Sequence, residues 1–192
     1  ILSAHQEVFG AGELDFLRQI INKNFVQDNK LLSQKISESN KSNSEEINNK
    51  YFDYLENLNK NSIVTVDKGP QNFIWLGFIK LFFKNAKIIH SKRNLKDTFL
   101  SNYKNNFASK DMDWTYDPSQ IVKYFNTYED LMNFWKKTCG DFIYEVDYEN
   151  IINKNETEVR KILNFCELDW DENCLHHHNS KETIIKTVSA YQ

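Results

Sequence analysis

The sequence predicts an α/β fold, a parallel sheet flanked by helices. Three observations carry that prediction. Apolar runs rich in β-branched residues, at Ile63–Val66, Ala86–Ser91 and Phe142–Val146, read as buried strands. Stretches with helical spacing of apolar residues follow them, at Gln71–Phe83, Asn94–Phe107 and Thr157–Cys166. Strands and helices therefore alternate from Ile63 onward, which calls for parallel strands joined by helical crossovers. No internal repeat is visible.

Taken in order, Ile1–His5 reads as the end of a helix, and Glu7–Glu13 as a glycine-bearing connector. Glu13 opens a helical pattern with Leu14, Leu17, Ile20 and Ile21 on one side. A glutamate there is either a dipole partner in a first turn or, after two glycines, a cleft residue. Gln34–Lys50 is polar and rich in serine and asparagine, the composition of a loop or a frayed surface helix. It is read as a solvated insertion, with a cover over an acceptor cleft as the other reading. Tyr51, Tyr54, Leu55 and Leu58 resume helical spacing. After the strand at Ile63–Val66, Asp67–Pro70 turns the chain into Gln71–Phe83, apolar on most sides and expected against a sheet.

The densest signal is Ala86–Phe107. A strand gives way to Lys92-Arg93 and then to a helix that Asn94 can cap, with Asp97 three residues on in capping-box register. Leu95, Phe99, Tyr103 and Phe107 form one apolar stripe. Arg93 thus lies where a strand ends and a helix begins, the place where open α/β sheets bind ligands. A guanidinium beside helix-start amides suits a phosphate. Lys68 holds the same kind of position one strand earlier, and two cations at two parallel strand ends point to an anion site. Beyond this, Ala108–Pro118 is a loop whose Trp114 and Tyr116 read as hydrophobic plugs rather than a wall against a planar ligand. Ser119–Lys137 is an amphipathic helix, and Asp147–Asn150 closes the third strand. Cys166 falls on the apolar face of the last clear helix and reads as core.

Composition bounds the function. A chain of 192 residues is long enough for one core, and its net charge of −3 gives no reason to expect a nucleic-acid partner. No apolar run reaches membrane-spanning length, and Lys80 interrupts the Phe73–Phe83 run. Cys139, Cys166 and Cys174 give neither an even disulfide set nor a metal spacing, which fits a reducing, cytoplasmic setting. Three adjacent histidines, His176–His178, cannot all face one metal, so no metal ligand is expected.

Several of these stretches, in order along the chain, resemble those of the sulfotransferases. The similarity is greatest to the bacterial members that often carry tetratricopeptide repeats and to tyrosylprotein sulfotransferases. The matching stretches are HQEVFGAGE at His5–Glu13, DKGPQNF at Asp67–Phe73, NAKIIHSKRNLKDTFLSNY at Asn85–Tyr103, VDYENI at Val146–Ile151, LNFCELDWDENC at Leu163–Cys174 and TVSAYQ at Thr187–Gln192. The resemblance implies a nucleotide-hydrolase-like P-loop fold. It also implies transfer of a sulfuryl group from 3′-phosphoadenosine 5′-phosphosulfate (PAPS) to a hydroxyl or amine. On the matching positions, Glu13 is the general base and Lys68 stabilises the leaving phosphate. Arg93 and Ser101 hold the 3′-phosphate, and Tyr148 and Ser189 help hold the nucleotide. The local chemistry agrees: a carboxylate can take a proton, a fork-shaped guanidinium suits a phosphate, and a helix serine can donate to an oxyanion.

Departures from the family pattern set further expectations. The family's Pro-Arg-Ser-Gly-Thr-like phosphate loop and its first strand precede the stretch matched by His5, and Gln192 falls inside the closing motif. The chain is therefore read as a partial domain over 1–192, lacking that strand and loop, from a longer enzyme in which tetratricopeptide repeats can lie upstream. Such a chain would expose an apolar sheet edge, and its activity in isolation is open. Gly69 stands where the family favours methionine, and Asn94-Leu95 where it favours a proline after the cap. Protein tyrosine, carbohydrate and small-molecule acceptors all suit a carboxylate base. Glu38, Glu45 and Glu46 weigh against a highly acidic one. Two rival readings share the strand-end cations: a small-molecule or nucleotide kinase, which would need carboxylates arranged for magnesium, and a non-catalytic nucleotide-binding domain, which would tolerate loss of Glu13.

Overall fold

The computed structural model describes residues 1–26, 34, 36, 41–59, 61–107 and 110–179. It divides into two compact units, Ile1–Ala86 with His176–His178, and a second that contains Lys87–Leu175.

The first unit is built on two parallel strands, β1 (Val8–Gly12) and β2 (Val64–Asp67). Strand β1 is a correction to the sequence reading, which took Glu7–Glu13 for a connector. The segment pairs in register, Val8 with Val64 and Gly10 with Val66, and then shifts so that Gly12 faces Asp67. Such a shift is a bulge, and Gly12 adopts φ 74°, a left-handed conformation that a side chain would strain. The two strands are joined through α1 (Phe16–Ile21), a single π turn at Asn22–Val26, and α2 (Lys41–Leu58). Helix α2 begins inside the polar stretch expected to be a loop or a frayed helix. Ile47 and Tyr51, four residues apart on it, are both buried, so a buried face outweighs the polar composition. The rest of the expected insertion, residues 35 and 37–40, lies outside the described residues.

After β2, a 3₁₀ segment over Pro70–Trp75 leads into α3 (Leu76–Phe82). The sequence had suggested one helix, buried on most sides. Leu76, Ile79, Phe82 and Phe83 are indeed buried, but Ile74 and Leu81 are exposed. Rings of Phe25, Phe78 and Phe82 pack with centroids 5.0–5.9 Å apart, and Tyr51 meets Phe83 at 4.9 Å. Asn48 of α2 donates to the Phe82 carbonyl at 2.8 Å, supplying a partner to the C-terminal end of α3.

The second unit repeats the plan. Strands β3 (Ile88–Lys92) and β4 (Ile143–Asp147) pair in parallel without a bulge, Ile88 with Ile143 through Lys92 with Asp147. Between them run α4 (Leu95–Lys104), a 3₁₀ segment at Lys110–Tyr116 and the long α5 (Pro118–Cys139). Two short helices follow β4, α6 (Tyr148–Asn153) and α7 (Asn155–Phe165). Ile121, Met132, Ile143, Val146, Val159, Ile162 and Leu163 form the buried core. Trp114 stacks flat on Tyr124, centroids 3.9 Å apart, which agrees with a plug. Cys166 is half-buried, and burial pushes its thiol up, away from reactivity. No helix among the described residues is long and apolar enough to cross a membrane.

Two expectations about α4 change. Its stripe is only partly covered: Leu95 and Tyr103 are exposed, Phe99 and Phe107 are half-buried, and no residue of the helix is fully buried. The capping box is only half formed. Asn94 Oδ1 accepts from the amides of Lys96 (2.9 Å) and Asp97 (3.4 Å), but the Asn94 amide donates to Glu149 Oε1 at 2.9 Å rather than to Asp97. A carboxylate from α6 thus completes a cap that the sequence had assigned to the helix itself. Asn94→Ala should cost about 1 kcal/mol of stability, read as a lower denaturant midpoint at unchanged slope.

Candidate active site

The bulge in β1 has a direct chemical consequence. Once Gly12 is brought opposite Asp67, the next residues on each strand are Glu13 and Lys68. The Lys68 amide continues the ladder by donating to the Gly12 carbonyl at 2.9 Å. The Lys68 ammonium meets Glu13 Oε1 in an ion pair between residues 55 apart in sequence. Glu13 is the more enclosed partner, its side chain 18% exposed against 52% for Lys68. The structure therefore joins the two residues that the sequence suggested for proton transfer and charge neutralisation.

Beneath that pair lies a polar cluster that sequence reading missed. Asp67 Oδ1 accepts from the Leu14 amide at 3.3 Å, and its Oδ2 accepts from the Tyr51 hydroxyl at 2.8 Å. Burial pushes the Asp67 carboxyl up, against the hydrogen bonds from Tyr51, Leu14 and Asn72 that pull it down. The Tyr51 hydroxyl is pushed far up by burial and by the Asp67 charge, so it stays a donor. Its only sequence signal was an aspartate directly before the lysine at a strand end.

In the second unit, Arg93 follows β3 and is exposed. Its guanidinium lies over the ring of Tyr148, the first residue of α6, at 5.1 Å. Among the described residues Arg93 forms no hydrogen bond or ion pair. Two sequence-predicted nucleotide residues are thus brought into contact. Of the helix-start amides suggested alongside Arg93, those of Lys96 and Asp97 are already taken by Asn94, and that of Asn94 by Glu149. Ser101 is exposed on α4, and its hydroxyl accepts a long 3.5 Å bond from Asn105. No hydrogen bond joins it to Arg93. Ser189 lies outside the described residues.

Arg93 also lines an open cleft of about 700 Å³ with Lys92, Lys136, Glu145, Asp147 and Glu149. His90 and Glu145 face the same side of β3 and β4. Glu145 binds His90 Nδ1 and Lys136, each at 2.8 Å, and Lys92 bridges Glu145 and Asp147 at 3.6 and 3.4 Å. Burial lowers His90 against the pull of Glu145, and burial pushes Tyr128, which contacts His90 Nε2, up to about 12. The lysines of this cleft are internally neutralised, which leaves Arg93 as its cation without an ion-pair partner among the described residues.

A family model described as "Sulfotransferase family" matches residues 1–172. The chain belongs to the sulfotransferase family. It is 34% identical, over an alignment of 200 positions, to an uncharacterized protein of Aquifex aeolicus (strain VF5); the alignment takes in all of this chain and 26% of that protein. It is 27% identical over 112 residues, 58% of this chain and 40% of the other, to a Caenorhabditis briggsae protein provisionally named a protein-tyrosine sulfotransferase. The chain thus spans well under half the length of these relatives. Among solved structures, a sulfotransferase domain from the curacin biosynthetic pathway superposes with a TM-score of 0.65 at 12% identity. That match covers 98% of this chain and 77% of the domain, and it shows an α/β sulfotransferase fold.

Proposed function

We propose that the protein transfers a sulfuryl group from PAPS to a hydroxyl or amine acceptor. The contact of Glu13 with Lys68 at the ends of β1 and β2 carries this reading, together with the family and the fold. Glu13 takes the acceptor's proton as the acceptor oxygen bonds to sulfur. The bond from sulfur to the bridging phosphate oxygen breaks, and adenosine 3′,5′-bisphosphate leaves with the electron pair. Lys68 neutralises the charge that gathers on that oxygen. Attack and departure run roughly in line. Lys68 is half exposed and on a flexible stem, so it can leave Glu13 for the phosphate and free the carboxylate to act as base.

Arg93 and Ser101 hold the 3′-phosphate, and Tyr148 and Ser189 steady the nucleotide. An exposed guanidinium set on an aromatic face, with no anion paired to it among the described residues, fits a phosphate beside an aromatic base. Protein tyrosine, a carbohydrate or a small molecule is the acceptor, and tetratricopeptide repeats upstream are a further proposal for the parent polypeptide. The reading is tested by incubating the full-length protein with sulfur-labelled PAPS and a panel of those acceptors. Donor-dependent labelling supports it; no labelling of any acceptor, with no donor turnover, overturns it. In the same assay Lys68→Ala should lower kcat about 100-fold, the usual loss for one electrostatic stabiliser.

A further inference from the structure

The Glu13–Lys68 contact depends on a register that the strand ladder alone does not secure. A bulge precedes it, and beyond Gly12 the pairing consists of one amide bond, Lys68 to Gly12. The residue after Glu13 and the residue before Lys68 are tied by a second bond, from the Leu14 amide to Asp67 Oδ1 at 3.3 Å. This bond crosses from one strand end to the other directly behind the ion pair. The remaining Asp67 oxygen takes the Tyr51 hydroxyl from α2 at 2.8 Å. Asn72, from the 3₁₀ segment after β2, supplies a further side-chain hydrogen bond.

Gly69 makes the last contact possible. A Cβ at that position would fall 2.6 Å from Asn72 Nδ2 and 2.7 Å from its Cγ, so any side chain there would displace the carboxamide. Asp67 is thereby held by Tyr51 and Asn72, from two elements, while it holds the Leu14 amide. A carboxylate in such a setting does not approach a substrate; its chemistry is spent on protein donors.

Resting on the sulfuryl-transfer reading, we propose that Asp67 is a positioning residue, which fixes the backbone of Glu13 beside that of Lys68 through the Leu14 amide, with Tyr51 as its support. The spacing of the two strand ends that carry base and cation is then set by a carboxylate that touches neither side chain. Loss of that register affects the chemical step, while the donor is bound elsewhere through Arg93 and its neighbours.

The test uses the full-length protein and two readouts, donor kinetics and amide hydrogen exchange at Leu14. Asp67→Ala should lower kcat about 30-fold and leave the donor KM within about twofold, because what is lost is transition-state geometry. Its Leu14 amide should exchange about tenfold faster. Asp67→Asn keeps an acceptor for Leu14 and turns an N–H toward the Tyr51 hydroxyl oxygen, so both readouts should stay within about threefold of wild type. Tyr51→Phe should fall between, about fivefold down in kcat. An active wild type whose kcat or Leu14 exchange ignores Asp67→Ala overturns this role alone. So does an Asn variant as impaired as the Ala variant, since charge and not position would then be the cause. If Asp67→Ala does not fold, Tyr51→Phe decides, and unchanged kcat and exchange there overturn the proposal. A wild type that turns over no donor overturns the sulfuryl-transfer reading and this role with it.

Discussion

Glu13→Gln should lower kcat by about a thousandfold, in the middle of the range for removal of a general base. The substitution is nearly isosteric. A glutamine oxygen can still accept from Lys68, so the contact between the strand ends survives while the proton acceptor is lost. Affinity for adenosine 3′,5′-bisphosphate should stay within about twofold, because the nucleotide is assigned to other residues. The check is steady-state kinetics beside a calorimetric titration of the bisphosphate. Retained turnover sinks the base assignment; lost turnover with lost binding shows that Glu13 serves the nucleotide instead. This effect should exceed that of Lys68→Ala. Lys68 is 52% exposed, so water and salt take over part of its electrostatic work. Nothing comparable can stand in for a base held against the acceptor oxygen, and Glu13 is the better enclosed of the pair.

What was legible in the sequence follows from how local each signal is. Strands β2, β3 and β4 announce themselves as apolar runs, and α5 as a long amphipathic repeat, because those signals need only neighbours in the chain. Strand β1 does not. Its residues VFGAG carry two glycines, which locally argue for a turn, and the partner that makes it a strand lies more than fifty residues away, as the Val8–Val64 pairing shows. The bulge at Gly10–Gly12 is invisible for the same reason, yet it decides which side chains meet.

Site residues divide along the same line. Glu13, Lys68, Arg93 and Tyr148 were each named from stretches that resemble the family, and the structure adds who touches whom. Asp67 and Tyr51 were passed over because a turn aspartate and a helix tyrosine are unremarkable until the Asp67 carboxylate is found accepting from both the Leu14 amide and the Tyr51 hydroxyl. Glu149 displaced Asp97 as the partner of the Asn94 amide because a cap can be completed from any element whose carboxylate arrives there. Backbone bonds from the Asn94 amide and its own amide, with the nearby Arg93 charge, hold Glu149 below its usual range, so it stays ionised for that task.

Arg93→Ala should weaken adenosine 3′,5′-bisphosphate binding by about 100-fold, the loss expected when a two-pronged, charge-assisted pair with a phosphate is removed. Arg93→Lys should restore the charge but not the fork, and recover about tenfold of that loss. The native structure should tolerate both. Arg93 is exposed and forms no hydrogen bond among the described residues, and its contact with the half-open ring of Tyr148 contributes on the order of 1 kcal/mol. Melting temperatures near wild type would therefore confine the change to the ligand. Titrations at two salt concentrations separate the causes further. If Arg93 pairs with phosphate, wild-type affinity should fall with salt more steeply than that of Arg93→Ala, since one ionic contact is gone in the variant. Equal affinities in wild type and Arg93→Ala would remove the 3′-phosphate from this strand end. The anion would then have to be sought beside Lys68, for which Glu13 already competes.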